Sequence, residues 1–128
     1  MKQSDITPKI IDLSKRIAEH WRMEIYEGCW YVLKNSSILG CWFSWGDRAY
    51  TDEIVLIPSI EDVLEKLDDL GFMWNFQRTD KGDYQFHIYP LPTWVVPKYR
   101  KNYFETKDKH ETVLLALLEV LRKTGGRK

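Results

Sequence analysis

With 38 charged side chains, three histidines and two cysteines, the chain offers few residue groups whose spacing could do chemistry. The densest is basic and aromatic: Lys98, Tyr99, Arg100, Lys101, Tyr103, Phe104, Lys107 and Lys109 follow one another within twelve positions. Cations suit phosphates and ring faces suit unpaired bases, so this segment has the composition of a single-strand nucleic-acid contact. The competing reading is a solvated loop whose lysine stems cover a sheet edge and whose charge blunts edge pairing. The formal charge is zero overall but unevenly spread. Residues 98–128 hold nine Lys or Arg against four Asp or Glu, a net of +5, while residues 1–97 hold ten against fifteen, a net of −5. Any polyanion would therefore meet one face of the molecule. Arg122, Lys123, Arg127 and Lys128 extend the basic patch if the last helix packs beside it.

A second group is made of rings in excess of what one core needs: Trp30, Trp42, Trp45, Tyr89 and Trp94, with Leu115. Trp42, Trp45, Trp94 and Leu115 are the candidates for a protein-partner or self-association surface, since exposed apolar patches and aromatic anchors mark interfaces. The alternative is a second packing layer. Carboxylates gather on one predicted helix as Glu61, Asp62, Glu65, Asp68 and Asp69; such clusters can hold a hard cation. A helix surface, however, displays them to water, and Asp62 with Lys66 reads as an ordinary i,i+4 pair. The order Asp83 … Glu105-Thr106-Lys107 is similar to the acid–acid–lysine set of metal-dependent nucleases, where carboxylates bind the metal and the lysine positions the attacking water. That arrangement needs paired core strands, whereas Asp83 falls in a predicted turn; nuclease chemistry is the third reading. His20, His87 and His110 share no ligand spacing with one another or with Cys29 and Cys41, so no metal, cofactor or catalytic residue is assigned.

The elements that must carry these residues are legible in the pattern. The stretch Phe72–Tyr89 reads as a β-hairpin: Phe72, Trp74 and Phe76 alternate with Met73, Asn75 and Gln77, and Tyr84, Phe86 and Ile88 alternate with Gln85, His87 and Tyr89. Asp80-Lys81-Gly82-Asp83 supplies the turn, with Gly82 able to take positive φ. A first helix spans residues 8–21, with Thr7 as N-cap, Pro8 at the first position and Ile10, Leu13, Ile17 and Trp21 on one face. Strands are expected at Glu24–Glu27, Cys29–Lys34, Ile38–Trp45 and Asp52–Ile57, in an antiparallel meander. Gly28 is either a tight turn or a bulge. Ser59 and Asp62 make a capping box for a second helix with Ile60, Val63, Leu64 and Leu67 inward, closed by Gly71. The prolines of residues 90–97, PLPTWVVP, demand an edge or rigid connector. Asp108 and Glu111 repeat the capping-box pattern before a last helix, His110–Lys123, whose apolar run is wider than one stripe: Val113, Leu114, Leu117 and Leu121 share a face, and Leu115 points away from the core unless a second surface covers it.

A chain of 128 residues fits one domain, here residues 1–128 with a flexible tail at 124–128. A hydrophobic share of 44% with 30% charged residues excludes global disorder. No apolar run approaches a membrane span and the first residues lack a signal peptide, so the expected compartment is the cytoplasm, with no membrane partner. Cys29 and Cys41 read as reduced thiols there, although a cross-strand disulfide is the alternative. Three striped helices and half-apolar strands must cover each other, which gives an α+β fold: an antiparallel sheet of meander plus C-terminal hairpin packed by three helices.

In the order LSKRIAEHW, EIYEGCWYV, IPSIEDVLEKLDDLGFMWNF and HETVLLALLEVL, the chain resembles the short α+β proteins encoded in bacteriophages and prophages. The resemblance implies a fold and a phage-related origin, and no activity. The functional expectation is a binding protein rather than an enzyme, acting through the aromatic surface as a homo-oligomer or with a protein partner. The alternative is nucleic-acid contact through residues 98–109.

Overall fold

The computed structural model describes residues 3–42, 53–90 and 103–124. Trp45, Trp94, Lys98, Tyr99, Arg100 and Lys101, the proline-rich run after Pro90 and the tail after Thr124 lie outside the described residues. After a short 3-10 turn at Gln3–Asp5, the elements are α1 (Pro8–Ala18), β1 (Trp30–Leu33), β2 (Leu39–Cys41), β3 (Ile54–Ile57), α2 (Ile60–Asp69), β4 (Phe72–Arg78), β5 (Tyr84–Pro90), β6 (Tyr103–Thr106) and α3 (Lys109–Thr124).

The α+β class holds: among the described residues there are three α-helices and antiparallel strands, the strands forming two three-stranded sheets. In the first, the order is β2-β1-β3 rather than the sequential order of a meander. Trp30 and Val32 of β1 face Cys41 and Leu39 on one side and Ile57 and Val55 on the other. The strand that carries Val32, at 0% exposure, sits in the middle. The second sheet, β4-β5-β6, is sequential and contains the expected hairpin. Phe76 faces Phe86, which faces Phe104. Thr79 and Asp83 close the turn, and Gly82 takes φ +83°.

Local chemistry sets the helix ends. Thr7 accepts from the Ile10 N–H at 3.2 Å, and Ser59 and Asp62 complete the capping box at α2. Gly71, at φ +85°, follows the α2 C-cap Leu70. At α3 only half of the second box forms. The Glu111 N–H donates to Asp108 Oδ1 at 3.0 Å, while the Asp108 N–H donates to the hydroxyl of Thr106 instead of to Glu111. The first helix ends three residues earlier than its apolar stripe suggests, and residues 24–27 form no strand. They run past α2, where the Tyr26 hydroxyl donates to Asp62 at 2.7 Å, and turn at Gly28 with φ +88°. Among the described residues no strand pairs with them.

The helices lie between the sheets. One side of α1 meets β3 and another meets α3; α3 packs on β5 and β6; α2 bridges α3 and β4. A single apolar cluster runs from Ile10, Leu13 and Ile17 through Val63 and Leu67 to Phe86 and the residues of α3. Enclosure from several sides explains the wide apolar run of α3: Val113, Leu114, Ala116, Leu117 and Leu121 are fully buried. Leu115, expected to point away from the core unless a second surface covers it, packs against the core half-buried. One face of each sheet lines this core, and the opposite faces carry the half-exposed rings.

Candidate functional site

Alternation along the second sheet sends Phe72, Trp74, Phe76, Phe86, Ile88 and Phe104 to the helix side. It sends Met73, Asn75, Gln77, Gln85, His87, Tyr89, Tyr103 and Glu105 to the other side. The inner rings interlock: Phe76 lies 4.7 Å from Phe86 and Trp74 stacks on Phe86 at 6.2 Å. The Trp74 indole N–H also donates to Asp68 of α2 at 3.1 Å. This packing fixes the strands that display the outer row.

On the outer face three rings lie nearly parallel. His87 stacks on Tyr103 across the β5–β6 pair at 5.4 Å and 27°, and on Tyr89 along β5 at 6.4 Å and 11°. Met73 faces Tyr89, and Asn75 faces His87. Beside the rings runs a polar chain. Gln85 donates to Glu105 at 2.6 Å, and its carbonyl oxygen lies 3.3 Å from His87 Nε2. Met73 is 47% and Tyr103 39% exposed, and His87 and Tyr89 are half-buried. A shallow platform results, built from three ring faces and a row of amides. Open faces of this kind suit flat or extended ligands.

The basic–aromatic segment is split by the fold. Tyr103 sits on the platform. Lys107 follows β6 in an exposed bend, whereas Lys109 has its Nζ 4.8 Å above the ring of Phe76, which faces the helices. Lys109 is thus turned from the platform by cation–π packing. Among the partner-surface candidates, Leu115 belongs to the core edge. Trp42 is half-buried on the outward face of the first sheet, meeting Tyr31 edge-on at 6.5 Å. The Tyr31 ring there lies across Gly40, which has no side chain to block it.

The residues of the nuclease-like set lie at one end of the second sheet. Asp83 stays in the hairpin turn, and Glu105 is tied to Gln85 on the open face. Among the described residues no three His, Cys, Asp or Glu side chains are placed to hold a metal ion. His110 is buried and bonds the Pro58 carbonyl at 2.6 Å, a structural tie. Cys29 and Cys41 are free thiols; burial pushes the Cys29 thiol above its ordinary value. No helix among the described residues is long and apolar enough to cross a membrane.

Sequence reasoning grouped residues by proximity along the chain and so missed His87, Tyr89, Asn75 and Gln85 as one surface with Tyr103. The signal was present in the alternation, which already set His87 and Tyr89 in the outward phase, but the pairing of β6 with β5 was not. No protein-family model, curated protein or solved structure matches this chain, so its function has to be argued from this geometry.

Proposed function

We propose that this protein acts by binding, and that the open face of the second sheet takes a short stretch of single-stranded nucleic acid. The observation that carries this reading is the parallel row Tyr89–His87–Tyr103. Stacking on ring faces is the sequence-tolerant way to hold unpaired bases, and the adjoining Asn75, Gln77 and Gln85 offer donors and acceptors to base edges. The cations Lys98, Arg100 and Lys101 immediately precede Tyr103 in the chain, and Lys107 follows it; these suit the phosphates. The test is anisotropy of a labelled oligothymidylate at two salt concentrations. Binding should weaken steeply with salt, and Tyr103→Ala should lower affinity about 5- to 100-fold, the span expected for one lost base–ring stack. No saturable binding at low salt, or full affinity in Tyr103→Ala, refutes the reading.

A protein-partner or self-association role is the second reading, favoured by the outward face of the first sheet. Tyr31, Leu33, Trp42 and Leu56 are half-buried there, and Ile38, at the turn between β1 and β2, is 63% exposed. It requires an assembly that salt does not dissociate and that Ile38→Lys breaks. A monomer in light scattering at high concentration removes self-association, and a phage-related origin would favour either reading without deciding between them.

A further inference from the structure

The C-terminal half of α1, the edge strand β3 and residues 21–25 enclose a cavity of about 260 Å³ away from the platform. Its walls mix apolar side chains, Trp21, Ile25 and Leu56 among them, with polar and charged ones. One inner group is polar: Ser14, on α1, is 1% exposed, and its hydroxyl has no hydrogen-bond partner among the described residues. An unpaired buried hydroxyl costs stability unless something else satisfies it, so its place in this wall asks for an acceptor or donor inside the cavity. The charged lining is of one sign: Arg22 and Lys34, both exposed, line the cavity, and no Asp or Glu does so among the described residues.

We infer that this cavity binds a small apolar carboxylic acid. Its hydrocarbon part lies against Trp21, Ile25 and Leu56, and its carboxylate accepts from the Ser14 hydroxyl, with the positive charge of Lys34 adding attraction. The volume lies just under the range of about 300–1,000 Å³ typical of drug-sized ligands, which suits a short-chain acid. The site is independent of the open sheet face, so the two proposals stand or fall separately.

Octanoate is the probe, followed in the full chain by ¹⁵N–¹H shifts of the Ser14 and Leu56 amides and the Trp21 indole. The expected result is saturable shifts confined to the cavity lining. Ser14→Ala should weaken binding about 3- to 10-fold, the worth of one hydrogen bond, and Lys34→Gln should weaken it too. 1-Octanol, which lacks the charge, should bind less tightly than octanoate. Ala18→Phe, at an exposed lining position, should abolish binding while leaving the remaining spectrum folded. The inference is overturned if octanoate gives no saturable shift, if Ala18→Phe binds as the parent does, or if Ser14→Ala is more stable with unchanged affinity. That last result would mean that the hydroxyl is merely an unsatisfied group.

Discussion

Two threonines and one aspartate fasten β6, the strand that carries Tyr103, to the N-terminus of the core helix. Thr106 Oγ1 lies 2.6 Å from Thr112 Oγ1 and 2.7 Å from the Asp108 carbonyl; Thr112 Oγ1 is also 2.7 Å from that carbonyl, and the Asp108 N–H donates to Thr106 at 3.0 Å. Two hydroxyl protons cannot fill three contacts. One hydroxyl therefore donates to the other, which in turn donates to the carbonyl. Thr112→Val keeps the buried shape and leaves Thr106 free to bond the carbonyl, so it should cost about 0.5–1.5 kcal/mol. Thr106→Val also strips the Asp108 N–H of its acceptor and should cost about 1–3 kcal/mol. In the double variant the mutual bond is lost only once, so the cost should fall short of the sum by at least about 0.5 kcal/mol. Urea unfolding followed by far-UV circular dichroism reads these values; with a slope of about 1–3 kcal/mol/M, Thr106→Val should lower the midpoint by roughly 1 M. Additive single costs, or an unmoved midpoint in Thr106→Val, would refute the proton-sharing argument.

Tyr26 gives a pH signature. Burial first, then its hydrogen bond to the Asp62 carboxylate, pushes the phenol from an ordinary 10.0 up to about 12. The folded state thus favours the protonated ring: its contribution to stability is whole below pH 10 and is lost as pH rises toward 12. The urea midpoint of the parent should fall across that window more than that of Tyr26→Phe, and parallel curves would reject the linkage. The two thiols should differ in reactivity. At pH 8 a thiol-exchange reagent should label the half-exposed Cys41 first, and should reach Cys29, 1% exposed with its thiol raised by burial, only on unfolding. Equal labelling rates in the folded protein would contradict that burial.

Local features were legible from residue order because their causes are local. Strict alternation and Gly82 gave the hairpin, Thr7-Pro8 and Ser59-Asp62 gave the helix starts, and the inner stripe of α2 followed from spacing. The features that eluded the sequence depend on partners far along the chain. Nothing in residues 24–27 reveals that no described strand pairs with them. Nothing in β1 says that β3 will take its second edge, which makes the first sheet non-sequential. The apolar run of α3 is wider than one stripe, and which surface covers Leu115 depends on distant elements: a helix enclosed by α1, α2 and a sheet keeps few outward positions. The platform was half visible: Tyr103 stood out as part of a basic run, but its neighbours on the face are set by strand pairing, which also left Lys109 over Phe76 on the reverse side.

The position of α3 has a consequence for biosynthesis. The element that both α1 and the second sheet rest upon emerges from the ribosome after all the other described elements. Until Lys109–Thr124 is out, the earlier strands and helices expose greasy surfaces that it covers in the folded domain, so closure of the core waits for this helix and leaves the growing chain exposed to chaperones.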